Sequence, residues 1–295
     1  MNAGEAESVR HTPSAAEQDY LKHIYRLQEE TGRATTQELA TRLGVKPSSV
    51  TAMLKRLAAD PAGPYVRHTP YRGVELTDKG RAVALEMLRH HRLIELLLVK
   101  LLDMPWDQVH AEAERLEHVL SEELEERIAA KLGQPTHDPH GDPIPTREGI
   151  IPARDAIPLS ALAPGATGTV TRIAQQEQPV LQYLQGLGLV PGAHVTVTAV
   201  APCGDVLMVR IGDASHAVSG TIARCVQVRP DVDGTPQREL PAGAGGEPTR
   251  VYHPPVGEEV PPASRSVESA PRATATWTPG GSPSARTPTP PSEVA

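Results

Sequence analysis

The chain has 295 residues, 39% of them hydrophobic, with a formal net charge of −7 and two cysteines. That length admits two or three modest domains, each with its own core, and does not call for one large enzyme barrel. Cys203 and Cys225 are too few for a disulfide framework or a thiolate zinc cluster, so any metal site must use nitrogen and oxygen.

The N-terminus carries Glu5 and Glu7 and no apolar h-region, which predicts a soluble cytoplasmic protein. The first periodic stretch, EQDYLKHIYRLQEE, sets Tyr20, Leu21, Ile24 and Leu27 at helical spacing. In TTQELATRLGV, Thr35 with Glu38 three residues on is a capping-box signature; Leu39, Ala40 and Leu43 form the apolar stripe and Gly44 ends the helix. KPSSVTAMLKRLAA restarts a helix at Pro47, with Val50, Met53, Leu54 and Leu57 facing inward. YVRHTPYRGVELTDKG then alternates around a turn at Arg72-Gly73, as a two-stranded hairpin does. Helix, turn, helix and hairpin in that order predict a winged helix over 15–80.

The outward residues of the second short helix, Ser48, Ser49, Thr51, Ala52, Lys55 and Arg56, with Lys46 just before it, suit a major groove. Small hydroxyls allow close approach, Ala52 can touch a thymine methyl, and the cations reach phosphates. Arg67, His68 and Arg72 on the hairpin would meet the neighbouring DNA backbone. A merely solvated helix face is the bland alternative. Charge distribution favours DNA: residues 15–92 hold 13 basic against 9 acidic side chains, whereas 93–135 hold 4 against 10.

The most apolar run, Leu93 to Leu102, is short and broken by Glu95 and Lys100, so no membrane span is expected. Leu93, Ile94, Leu97 and Leu98, with Trp106, Val119 and Leu120, supply more apolar surface than two helices bury between themselves, and a twofold partner would cover it. The stretch HAEAERLEH places His110, Glu114, Glu117 and His118 at i, i+4, i+7 and i+8, on one side of a helix beside the apolar series Val109, Ala113, Leu116 and Leu120. One helix earlier, His91 and Glu95 repeat the i, i+4 pairing. Crowded carboxylates repel unless they meet water or a cation. A solvated glutamate-rich face and a cation site therefore stay open, with the flanking histidines favouring the latter. Imidazole and carboxylate ligands suit Mn(II) or Fe(II), disfavour Cu(I) and leave Zn(II) open.

At GQPTHDPHGDPIP, 133–145, closely spaced prolines and glycines end the helical pattern and predict a linker. From 157 to 230, PLSALAPGATGTVTRI, GLVPGAHVTVTAV, DVLMVRIGDASHAVS and VQVRP read as short alternating strands between turns. Residues 231–295 hold 13 of the 30 prolines and almost no apolar periodicity, the composition of a disordered tail.

A winged helix followed by this ligand stretch resembles the diphtheria-toxin-repressor family of metal-dependent regulators over nearly all of 17–230. The segments that carry the likeness are DYLKHIYRL, PSSVTAMLKRL, YRGVELTDKG, HHRLIELLL, VHAEAERLEHVLSEELEERI and GDPIP. The resemblance implies a mainly α architecture: the winged helix, a helical metal-binding and dimerisation domain at 81–145, and an SH3-like β-barrel at 157–230. It implies a homodimer on a palindromic DNA operator, with no small-molecule substrate and no membrane. Carried residue by residue, a primary metal site would comprise Asp19, Glu114, Glu117 and His118, and a second would draw on His91, Glu95 and His110. Where iron sensors of the family have Met and Cys at the positions of Asp19 and Glu114, this chain has carboxylates, as manganese sensors do, so Mn(II) is expected ahead of Fe(II). Manganese sensors commonly carry a further Glu where this chain has Lys22, which argues against a paired-manganese centre. The barrel can donate a ligand, for which Glu177 is the matching residue, although the partner glutamine position is Val180. The implied function is repression of metal-uptake genes; a metal-independent winged-helix scaffold and a metal-dependent hydrolase are the rival readings.

Overall fold

The computed structural model describes residues 13–69, 73–152, 155–202 and 205–231. Helix α1 (Ala15–Thr31) opens at Ser14, which with Glu17 makes a capping box. Helix α2 (Thr36–Leu43) opens on the reciprocal Thr35 and Glu38 bonds anticipated from sequence, and α3 (Pro47–Ala58) starts with its proline in the first turn. Strands β1 (Val66–Thr69) and β2 (Gly73–Leu76) pair antiparallel, Val66 opposite Leu76. Leu21, Ile24, Leu39, Val50, Leu57 and Val74 share one core, so all five elements form a winged helix. Gly73 is required where the wing meets the α2 approach: its φ is 82°, and a Cβ there would lie 2.2 Å from the Ala34 carbonyl oxygen. Arg72 lies outside the described residues.

Helix α4 (Asp78–Leu102) leaves the wing with Thr77 as its N-cap and runs 25 residues, about 37 Å at the usual rise. Helix α5 (Val109–Leu116) packs on it through Val109 and Ala113 against Ile94 and Leu98. The single helix expected through His118 stops short: the α-helix ends at Leu116 and Glu117–Val119 is a 3-10 turn before α6 (Glu122–Lys131). The tighter winding rotates Glu117 inward to full burial while Val119 swings out to 78% exposure. Leu93, Ile94 and Leu98, expected to face a partner, are spent within the protomer. The large apolar side chains left exposed here are Leu101, Leu102, Leu116, Val119 and Leu124.

The expectation of a linker at 133–145 is corrected at its C-terminal half, because residues 140–145 are all buried. Asp138 Oδ1 accepts from the backbone of His140 (2.8 Å) and Asp142 (2.9 Å), folding the segment on itself. Gly141, at φ 87°, presses against the following domain, where a Cβ would fall 1.9 Å from the Thr171 carbonyl oxygen. Proline and glycine spacing signalled the end of a helix correctly, but could not distinguish a solvated tether from a loop packed between two domains.

The remaining domain has strands β3 (Ile157–Pro158), β4 (Thr167–Ile173), β5 (His194–Val200), β6 (Val206–Ile211), β7 (Ala214–Ser219) and β8 (Val226–Pro230), with helices α7 (Gln178–Leu187) and α8 (Gly220–Cys225) in chain order between them. The sheet order is β3-β8-β4-β5-β6-β7, antiparallel throughout, with register shifts in β4 at Val170/Arg172 and in β5 at Val197/Ala199. Val170, Val195, Val209, Val218 and Val228 belong to one cluster, so the sheet curls round a single small core in the SH3-like manner. The tail expected at 231–295 lies, beyond Asp231, outside the described residues.

Candidate metal centre

Asp19 lies on α1, Glu114 on α5, and Glu117 and His118 on the 3-10 turn. Asp19, Glu117 and His118 present ligand atoms within 4.8 Å of one another. His118 Nε2 sits 3.1 Å from Asp19 Oδ1, and its Nδ1 is 2.8 Å from Gln18 Oε1, which orients the ring. Asp19 Oδ1 is buried without a hydrogen bond, and burial raises the Asp19 carboxyl against the pull of Lys22 and His118. A desolvated carboxylate oxygen beside an imidazole and a second buried carboxylate fits a hard divalent cation.

Glu114, the fourth residue of the expected set, faces elsewhere. Both its oxygens accept from Lys22 Nζ at 2.9 Å. Although burial acts to raise it, Lys22 and His91 bring the Glu114 carboxyl down to about 2. Its grouping is with His91 and His110, whose ligand atoms also lie within 4.8 Å. His91 is the hinge of the cluster: Nδ1 is 2.5 Å from Glu117 Oε2, and Nε2 is 3.0 Å from both Glu95 Oε1 and His110 Nδ1. His91, Glu95 and His110, expected together, are therefore together. Glu177 is not with them; it is the exposed N-cap residue of α7 and belongs to neither group.

A third group was missed. Glu95, Asp138 and His140 are all buried and bring ligand atoms within 4.8 Å. Glu95 Oε2 and His140 Nδ1 face each other at 3.7 Å, each without a hydrogen bond. Burial and the neighbouring Asp142 and Glu95 push the Asp138 carboxyl up to about 7; burial opposes protonation of His140, but Glu95 and Asp138 raise it to about 9. Burial likewise acts to raise Glu95, yet His91, His110 and His140 hold it well below the carboxylate range. The signal was present as DPHGD, three ligand-type residues at alternate positions, inside a segment assigned to a linker.

Lys46, Ser48, Ser49, Thr51, Ala52, Lys55 and Arg56 are exposed along α3 and its N-cap, and Arg67 and His68 are exposed on β1. Two are partly engaged. Thr51 donates its hydroxyl to the Pro47 carbonyl at 3.0 Å, and Arg56 Nε pairs with Glu17 Oε1 at 2.9 Å. The Arg56 link ties α3 to the first turn of α1, two residues before Asp19.

A winged helix whose first helix helps to build a nitrogen and oxygen cation pocket with the next domain defines a metal-responsive DNA-binding protein. Residues 14–74 match the N-terminal DNA binding domain of iron dependent repressors, 77–146 their metal binding and dimerisation domain, and 157–230 the FeoA domain. The iron-dependent repressor IdeR of Mycobacterium leprae is 35% identical over 221 residues, 71% of this chain and 94% of its own; that of Mycobacterium tuberculosis H37Rv is 37% identical over the same spans. A solved manganese-dependent transcriptional repressor in complex with manganese is 39% identical with a TM-score of 0.67, covering 72% of this chain and 99% of that one. IdeR of T. acidophilum is 30% identical with a TM-score of 0.61, covering 76% and 100%.

The chain belongs to the iron-dependent repressor family that includes the diphtheria toxin repressor and IdeR. It is a metal-dependent, DNA-binding transcriptional repressor with a dimerisation domain, and not an enzyme. Its metal is a divalent ion of the iron or manganese kind.

Proposed function

We propose that this repressor answers chiefly to Mn(II), with Fe(II) as the second candidate, and silences metal-uptake genes as a homodimer on a palindromic operator. It would act in the cytoplasm, where the chromosome lies; among the described residues no helix is long and apolar enough to cross a membrane. The observation that carries the reading is the gathering of Asp19 from α1 with Glu117 and His118 from the turn after α5, all in oxygen and imidazole chemistry. The hard carboxylates of Asp19 and Glu117 favour Mn(II) over softer ions. The name of the manganese-bound relative agrees with that preference, while the mycobacterial relatives carry the iron reading.

A divalent ion supplies, when bound, a charge bridge between the winged helix and the dimerisation domain. The chain's own residues do the rest. Asp19 transmits the position of the 3-10 turn to α1; Glu17, on the same helix, holds Arg56 of α3. His91 joins that pocket to Glu95 and His110, and Glu95 joins it in turn to Asp138 and His140, which we assign as a further ligand group. Fixing α1 fixes the separation of the two α3 helices of the dimer, which palindromic half-sites require. Cation binding selects that arrangement only by favouring it over others.

Electrophoretic mobility shift with the chain's own upstream promoter region, in Mn(II), Fe(II) and chelator, tests the reading. Retardation by Mn(II) below the concentration at which Fe(II) acts is expected. Equal retardation after chelation would favour the metal-independent scaffold.

A further inference from the structure

Two consecutive histidines of α4 hold one residue of the metal centre by its two ends. His91 Nδ1 reaches the Glu117 carboxylate at 2.5 Å, whereas His90 Nδ1 lies 3.1 Å from the Glu117 backbone carbonyl oxygen. His91 belongs to a ligand group; His90 belongs to none of the three, yet it is only 2% exposed. Its other ring nitrogen, Nε2, is 2.9 Å from Glu125 Oε2 on α6. Both ring nitrogens therefore face oxygen acceptors, and a buried imidazole so partnered keeps one orientation.

Glu125 carries the contacts further. Its Oε1 pairs with Arg89 Nε, and Arg89 Nη1 donates to the Pro145 carbonyl at 2.9 Å. The buried stretch 140–145 thus holds from behind the group that seats His90.

The backbone gives the ring something to do. Glu117–Val119 is a 3-10 turn where the apolar period would continue an α-helix, and 3-10 winding has the poorer hydrogen-bond geometry. Carbonyls at the end of a helical segment also lack partners further along it. A donor reaching the Glu117 carbonyl from another helix stabilises the tighter turn against renewed α winding. It acts at the residue whose side chain, with that of His118, gathers beside Asp19.

We propose that His90, seated on Glu125, is a positioning residue of the metal centre: its bond to the Glu117 carbonyl fixes the turn that presents Glu117 and His118. The inference rests on the metal-site reading above and adds a residue that never touches the ion.

Calorimetric titration of Mn(II) chloride into the full chain tests it, with Asp19→Ala as the reference that isolates binding at this pocket. His90→Asn and His90→Gln divide the two contacts, because an asparagine amide nitrogen overlies histidine Nδ1 and a glutamine amide nitrogen overlies Nε2. His90→Asn, which keeps a donor for the Glu117 carbonyl, should lose only a few-fold in affinity at the pocket. His90→Gln, which keeps only the Glu125 contact, should lose ~10–100-fold, the range seen when a partner of a metal ligand is removed. Thermal denaturation without metal is read on both, since a merely structural histidine would make affinity follow Tm and not the identity of the nitrogen replaced. Equal losses, or the greater loss in His90→Asn, would overturn the proposal. If either variant fails to fold, Glu125→Gln decides: freeing the ring should weaken Mn(II) at the pocket about tenfold or more, and a smaller loss overturns the proposal. A native chain that titrates as Asp19→Ala does would instead remove the metal-site reading itself, and this inference with it.

Discussion

Glu117 has no exposed surface and divides its carboxylate between Lys22 on one oxygen and His91 on the other, at 2.5 Å. A buried carboxylate so shared is held in one rotamer, which is what a cation ligand needs. Glu117→Gln keeps the shape and removes the charge; calorimetric titration should show Mn(II) affinity falling by at least the ~10–100-fold that losses from a metal's outer shell produce. Unchanged affinity would exclude Glu117 as a ligand. Protons compete at the same sites. His140, raised to about 9, is protonated at neutral pH, and a metal takes only the neutral imidazole. Loading the Glu95, Asp138 and His140 group must therefore expel protons, and affinity there should climb with pH until about 9 and fall below it. Titration in buffers of different ionisation enthalpy measures the release; His140→Ala should reduce it. The types and spacing of Glu114, Glu117 and His118 were legible in sequence, while Asp19 was supplied by the family resemblance. The division of Glu114 from the other three was not, because it depends on where Lys22 reaches across the fold.

Among elements, the caps were the most legible. Thr35 and Glu38 bond reciprocally at α2 because that chemistry is complete within four residues. The stretch from His110 to His118 was less so: its periodicity continues through Leu116, but the backbone tightens to a 3-10 turn at Glu117, which tertiary burial of the carboxylate selects over continued α winding. The 133–145 segment was legible only as a break. Gly141→Ala tests its packed state: with φ at 87° and a Cβ 1.9 Å from the Thr171 oxygen, the variant should lose at least ~1–3 kcal/mol. Thermal denaturation reads the loss; a solvated tether would show almost none.

Across the whole molecule, the loop carrying Asp138 and Asp142 joins the helical domain to the SH3-like one. Asp142 Oδ1 accepts from Arg172 Nε at 2.5 Å and Oδ2 from Gln176 at 2.6 Å, while Arg92 of α4 donates to the Pro143 carbonyl at 2.6 Å. Trp106 donates to Gln185 at 2.8 Å and stacks on His140. Both domains thus touch the same buried loop. The twofold contact should fall on apolar residues that the protomer leaves uncovered. Replacing Leu102 (64% exposed) and Val119 (78%) together by Glu should shift the protein to monomer in sedimentation velocity without loss of helical circular dichroism. A dimer that survives both changes would place the interface elsewhere.

By itself the sequence determined the helices and hairpin of the winged helix in their order and the ligand types, since caps, periodicity and turn chemistry act over a few residues and are written in adjacent letters; it did not give the helices Gln178–Leu187 and Gly220–Cys225 within the segment read as strands. Only the tertiary structure decided which oxygen meets which cation. That Lys22 fills the acidic pocket, that Leu93 and Ile94 face inward, and that DPHGD is a buried loop beside Glu95 all follow from contacts between distant segments, where burial sets the cost of every unpaired charge.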